Sequence, residues 1–403
     1  MPLIPLEEAR RIIDLVDFVE PRKIYVKVWR AVNMIAAEDL RAPRDIPPMR
    51  VAAMDGYAVR LEDLESFESL RISGKLFPGD RVIELGKGEA IYVSTGAPIP
   101  QGANAIVRLE AARVRNDRLY VIEKLWKGKD IVEIGEVVKK GDIIVKKGTP
   151  INPYALSLLI KSGILEIPVY RLRASVMAIG DELSRFDDPG DGGIKDSVSP
   201  TIMGLLSFAE SEYVGVIGDD PDEIVRAIED SISKADLIIT SGGTSVGEKD
   251  LVKKAVTRIG KLLFEGVTVN VIKRCSIAVV GDKPIALLPG SCVAAVACFH
   301  EHLLHVISRM VKGELRIYEE AVLGQEIRVD HSMDSLYLFI SFAGVAYPLR
   351  WGPGRCYDLV KANAMGVLKR GMLYRRGEKI YLQRLLPYSC SEQHHSLNQL
   401  PIA

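Results

Sequence analysis

Acidic side chains recur just past apolar runs in this chain. Asp181 and Glu182 follow "ASVMAIG", Asp219 and Asp220 follow "YVGVIG", and Glu248 and Asp250 follow "DLIITSGGTSVG". Carboxylates gathered at one place repel one another unless a cation sits among them. A hard cation such as Mg2+, held by a few oxygens and several waters, would relieve that repulsion and bridge a phosphate. The stretch "TSGGTSVGEKD" adds Gly242, Gly243 and Gly247, which admit positive φ and bring backbone N–H groups close to a ligand, and the hydroxyls of Thr240, Ser241, Thr244 and Ser245. Such a turn suits an oxyanion or a phosphate, though it lacks the order of a Walker loop and also fits a tight strand-to-helix connection. Asp220 has a structural explanation, because it precedes Pro221 and stands three residues before Glu223, as an N-cap with its capping-box partner does. Glu182, Asp219 and Asp250 have none, although a solvated surface position also accounts for any one of them.

The elements that must position these residues follow from periodicity. From about 171 to 312 strands and helices alternate: "ASVMAIG", a helix from about Ser199, "YVGVIG", a helix from Pro221, "DLIIT", a helix from about Lys249, "SIAVV", "PIALLPG" and a long helix after Ser291. The alternation predicts a doubly wound parallel sheet with helices on both faces, and the strand ends then share one rim, where open α/β sheets bind ligands. The β-branched run Leu237-Ile238-Ile239 suits a strand buried on both sides. Upstream, residues 5–20 carry Leu6, Ala9, Ile12, Ile13 and Val16 at helical spacing, and "INPYALSLLIKSGI" reads as a helix with Asn152 as cap and Pro153 at its first position. These two pieces are expected to pack together, with a β module of short alternating runs ("RVIEL", "AIYVS", "NAIVRL", "RLYVIE") inserted between them. The last ninety or so residues return to short strands, "RIYEEAVL", "SLYLFISFAGVAYPL" and "EKIYLQRLL", before a tail with little to bury. The expected division is an elongated discontinuous segment (1–45 and 139–170), a β module (46–138), an α/β domain (171–312) and a C-terminal β domain (313–403).

Composition bounds the class. Lys plus Arg number 53 and Asp plus Glu 53, so no net field draws nucleic acid or an anionic membrane. The five cysteines form no C-x-x-C pair, which argues for a reduced, cytoplasmic setting and against structural zinc. The opening residues do not read as a signal peptide, and no apolar run is long enough to span a bilayer. His300, His302 and His305 in "FHEHLLH" are expected on a solvated or partly buried helix face rather than around a metal. In the β module, "AAMDGYAV" and "STGAPIPQGANAIV" place Gly56 and Gly96 beside Asp55 and Thr95, which marks turns.

The order "MDGYAV", "STGAPIPQGANAIV", "GDEL", "IKDS", "GDDP", "SGGTSVGEKD" and "LPG" resembles the MoeA/gephyrin-E family of molybdopterin molybdenumtransferases through nearly the whole chain. The resemblance implies a MogA-like α/β domain, a β-barrel-like inserted module, an elongated linking segment and a C-terminal β-barrel. It further implies a homodimer with the β module of one chain facing the α/β domain of the other. The implied chemistry is hydrolysis of adenylylated molybdopterin with a divalent metal, Mg2+, as molybdate or tungstate is inserted. An adenylyltransferase of the MogA/MoaB type and apo-molybdoenzymes are the implied partners. The family's acidic and hydroxyl positions match Asp55, Thr95, Glu182, Asp219 and Asp250, with Glu182, Asp219 and Asp250 as metal ligands. Ser241, Gly242, Gly243, Ser245, Asp196 and Ser197 would hold the pterin or its phosphate. The chain departs from the family at Val137, where an acid is usual, at Val198, where Asn is usual, and at 270–274, where "NVIKR" replaces a Lys-Pro-Gly-Lys loop and leaves Lys273. At "LPGSC", Ser291 and Cys292 replace Asn-Pro. Either Lys273, Arg274 and Ser291 compensate, or the chain is a non-catalytic pterin-binding paralogue that partners an active enzyme.

Overall fold

The computed structural model describes residues 2–190, 193–243, 251–350 and 356–385. They form two compact units: Met1–Glu38, Lys146–Asn152 and Ile167–Ala403 in one, Asp39–Val145 and Pro153–Glu166 in the other.

The first unit is organised around a six-stranded sheet in the order Glu210–Ile217, Arg173–Ile179, Leu237–Gly242, Lys283–Leu288, Ser276–Val280, Lys261–Phe264. The first four strands are parallel. Alternation along them divides the core. Val176, Ile239 and Leu288 face the layer that contains helix Val198–Leu205 and the long C-terminal helix. Met177, Ile179, Ile238 and Leu287 face helices Pro221–Lys234 and Leu251–Ile259. Asp220 caps Pro221–Lys234 as its sequence context predicts, one carboxylate oxygen accepting the N–H groups of Asp222 and Glu223 at 2.7 and 3.2 Å. The expectation of a wholly parallel sheet fails at one side. Ser276–Val280 runs antiparallel to Lys283–Leu288 because only Gly281 and Asp282 join them, and a parallel crossover needs a dozen or more residues. Gly281 supplies the positive φ of such a turn.

The long helix runs as Cys292–Cys298, a π turn at Phe299–Leu303, and Leu304–Val311. It corrects the reading of the histidines. His300 and His302 have no exposed surface and His305 only 5%, because both sides of the helix are packed. One partner is the opening helix, Leu6–Asp14, whose Leu6, Ala9 and Ile13 join the same core cluster and whose Arg10 donates to the buried Glu301 carboxylate at 2.8 Å. That helix is thus built onto the α/β layer, whereas helix Pro153–Lys161, its expected companion, belongs to the other unit.

Beyond Val311 the chain closes a barrel. Asp334–Phe342 pairs with Val345–Pro348, which pairs with Tyr318–Leu323, then Lys379–Arg384, then Ala364–Leu368, which returns to Asp334–Phe342. Phe339, Leu323 and Leu382 fill it.

The second unit carries a six-stranded sheet ordered Ala105–Arg108, Gly56–Val59, Glu89–Val93, Leu70–Leu76, Arg118–Val121, Ala112–Arg115. Ile91, Val93 and Ile106 project into one cluster, and Val59, Ala90 and Leu119 into another. No helix among the described residues is long and apolar enough to cross a membrane.

Candidate active site

In the α/β sheet, strand Arg173–Ile179 is flanked by the strand of that sheet that follows it in sequence, Glu210–Ile217, on one side and by Leu237–Gly242 on the other. The crevice between the Ile179 and Gly242 ends is therefore the topological switch point, where the diverging connections leave room for a ligand. Two glycines line it for a steric reason. A Cβ on Gly242 would lie 2.4 Å from the Ile179 carbonyl oxygen, and one on Gly243 would lie 2.6 Å from Val252 Cγ2. Their φ values, +85° and +61°, are also those that side chains resist. The "LPGS" turn joins them, since a Cβ on Gly290 would stand 3.4 Å from Gly242 Cα. Ser291 follows at the start of helix Cys292–Cys298, its carbonyl accepting the Ala295 N–H at 2.8 Å.

The carboxylates stand at the adjacent strand ends. Glu182 follows Arg173–Ile179 and Asp219 follows Glu210–Ile217, and both are exposed. Asp181, to which the sequence assigns no role, ties the two loops together: its Oδ1 accepts the Asp219 N–H at 3.0 Å and stands 2.9 Å from where a Cβ on Gly218 would lie. The signal was present in the sequence as Gly-Asp after two successive strands. Asp250 and Ser245 lie outside the described residues. Glu182 and Asp219 are hard oxygen donors of the kind that holds Mg2+ with water making up the remainder. Among the described residues, no group of three or more His, Cys, Asp or Glu is placed to hold a metal ion.

The remaining expected ligands divide. Ser241 lies within its strand between Ala178 and Leu288 and is 2% exposed. Asp196 is 3% exposed, and its Oδ1 caps helix Val198–Leu205 by accepting the Val198 and Ser199 N–H groups at 3.1 and 3.0 Å. Its carboxylate also lies beside the Tyr213 hydroxyl, whose pKa is pushed up by burial first and by Asp196 second. Ser197 is exposed, and its carbonyl accepts the Thr201 hydroxyl at 2.8 Å. Val198, where the resemblance implies Asn, turns into the core and is 4% exposed. Lys273 is exposed in the loop after Val269–Asn270. That loop reaches the same sheet edge as Ser291, because Ser276, just beyond it, pairs with Leu287.

In the other unit, Asp55 and Thr95 are locked together. One Asp55 oxygen accepts the Thr95 N–H at 2.6 Å and its hydroxyl at 2.8 Å. These two bonds, the backbone one first, hold the Asp55 carboxyl below the usual aspartate range. Gly96 makes a turn with φ of +82°, but Gly56 does not. It sits in the strand Gly56–Val59, where a Cβ would come within 2.2 Å of the Val107 carbonyl oxygen.

Comparison with known proteins agrees with this architecture. Residues 4–163 match a family model described as "MoeA N-terminal region (domain I and II)", and residues 175–309 match one described as "Probable molybdopterin binding domain". A Methanocaldococcus jannaschii protein named for molybdopterin biosynthesis is 35% identical over 399 residues, 94% of this chain and 97% of that one. The Haemophilus influenzae molybdopterin molybdenumtransferase is 33% identical over 315 residues, covering 76% and 78%. The crystal structure of the MoeA protein from Pyrococcus horikoshii OT3 superposes with a TM-score of 0.77 at 28% identity, covering 95% of this chain and 100% of that one. With two strong relatives across most of its length, and with acids and a glycine turn at its switch-point crevice, the chain belongs to the MoeA family of molybdenum cofactor biosynthesis proteins.

Proposed function

We propose that the protein is a molybdopterin molybdenumtransferase that inserts molybdate, or tungstate, into adenylylated molybdopterin with release of AMP. The observation that carries this reading is the assembly of Glu182, Asp219, the Gly242–Gly243 turn and the Ser291 loop at one switch-point crevice, in a chain of the MoeA family. The glycine turn offers backbone N–H groups to a phosphate, and Lys273 brings a positive charge to the same edge. Asp181 holds the Asp219 loop against the neighbouring strand end, so the backbone that carries the second carboxylate is placed before substrate arrives. Glu182 and Asp219, with Asp250, would hold Mg2+. Such an ion neutralises phosphate charge, in keeping with chemistry that depends on positioning more than on a side-chain nucleophile. In a homodimer, Asp55 and Thr95 of the partner's β module would complete the site. The test mixes purified protein with adenylylated molybdopterin, Mg2+ and molybdate and measures AMP. Release above background supports the reading, and none counts against it.

A second reading has specific support. Val198 places an apolar side chain in the core where the family has a polar amide, and Val137 removes an acid from the β module. A non-catalytic scaffold would bind adenylylated molybdopterin by calorimetry without turning it over, whereas turnover lost in Asp250→Ala would sustain the enzyme.

A further inference from the structure

The β module ends in a row of arginines that its own fold leaves largely without acids. Strand Arg118–Val121 lies between Leu70–Leu76 and the edge strand Ala112–Arg115, and the registers set Arg118 opposite Arg71 on one side and opposite Arg115 on the other. Directly opposed residues project from one face about 5 Å apart, so three guanidiniums stand in line across three strands. Arg113 lies two residues along on that same face, opposite Tyr120. All four arginines are exposed, while the alternate residue Leu119 is fully buried. Arg71 is paired with Glu89, and Arg118 donates to the Ser69 hydroxyl at 3.4 Å. Arg113 and Arg115 form no ion pair among the described residues. Like charges set directly opposite each other cost stability. They stand here in a chain whose 53 basic and 53 acidic residues otherwise balance.

The same strand has an open side. The Ile122 N–H donates to the Ala111 carbonyl, which sets the phase of the ladder. Residues 113 and 115 bond inward to the neighbouring strand, and Ala112 and Val114 turn their N–H and C=O groups outward. We propose that this edge docks an extended acidic segment of a partner protein, which adds as a strand beside Ala112–Arg115 and places carboxylates against Arg113 and Arg115. An extended chain repeats its side chains on one face every second residue, the spacing of Arg113 and Arg115, so acids at alternate positions meet both. Each guanidinium can then bind a carboxylate through two parallel hydrogen bonds. A nucleic acid would answer the charge but not the outward backbone groups of Ala112 and Val114, which is why the acidic strand is the favoured occupant.

The test uses the full chain and a fluorescent synthetic peptide alternating Glu with Thr, its Gln counterpart, and a single-stranded RNA of equal charge. The Glu peptide is expected to bind, at least tenfold more tightly than the Gln peptide and the RNA. Arg113→Gln/Arg115→Gln should weaken it about tenfold without changing the thermal midpoint by more than a few degrees, and hydrogen exchange should slow at the Ala112 and Val114 amides. The proposal is overturned if the Glu peptide does not bind or the double variant binds it equally. It is also overturned if those amides stay unprotected, which would leave the arginines as guards against edge-to-edge association, or if the RNA binds more tightly.

Discussion

At the scale of single residues, the crevice depends on contacts that leave little freedom. The Asp181 carboxylate accepts the Asp219 N–H and so sets where the backbone of the second rim acid stands. Asp181→Ala is expected to lower kcat for AMP release about tenfold, in line with a lost charge-assisted hydrogen bond, with a smaller effect on KM; steady-state assays of the purified variant check this. Gly243→Ala would press a methyl group on Val252 at positive φ. The expected loss is about 1–3 kcal/mol in urea unfolding. The buried histidines give the fold a pH dependence of defined sign. Burial first, and the nearby Arg10 second, lower the His302 pKa to about 3, well under the ordinary 6.5. A base whose folded pKa is depressed supports folding above the unfolded value and loses that support as pH falls from about 6.5 toward 3. Wild-type stability should therefore drop by about 2 kcal/mol between pH 7 and pH 5 on account of His302 alone. The drop should shrink in His302→Phe, read as the shift in urea midpoint. Residue types showed these histidines in the sequence but not their burial, which arises from the opening helix packing on the far side of "FHEHLLH".

At the scale of elements, local signals were legible and pairing was less so. The Asp-Pro-Asp-Glu start of helix Pro221–Lys234 could be read directly because a cap is a contact between residues two and three apart. Asp220→Ala should cost about 1 kcal/mol, measured by chemical denaturation. The shared edge of the strand ends was legible for a similar reason: segments just past strands that run parallel end on one edge. The antiparallel hairpin at Ser276–Leu288 was also written in the chain, in the two-residue gap Gly281–Asp282, but apolar runs alone do not carry direction. The helix start was legible to within a residue, but the cap role of Asp196 was not read because the resemblance assigns that carboxylate to the pterin. The arginine row depended on register, which composition does not reveal. Arg118→Thr should stabilise the β module by a few tenths to about 1 kcal/mol by relieving the opposed charges.

At the scale of the whole molecule, the architecture assigns separate tasks to separate parts. The α/β sheet presents a crevice with acids on one side and a glycine turn on the other, the barrel's sheet takes in the short strand Val269–Asn270 through its pairing with Asp334–Ser335, and the β module holds Asp55 fixed by Thr95. Balanced charge overall means that an anionic substrate is drawn by this local arrangement and not by a global field. Of the positions where the chain departs from the resemblance, Val198 is accommodated in the core. The central claim is that Glu182, Asp219 and the glycine turn form one working site. It is tested most directly by AMP release from adenylylated molybdopterin with Mg2+ and molybdate, comparing the wild-type protein with Glu182→Gln/Asp219→Asn. The account predicts release by the wild type and at least a hundredfold loss in a double variant that keeps its thermal midpoint. Equal release by the two proteins, or none from the wild type, would contradict it.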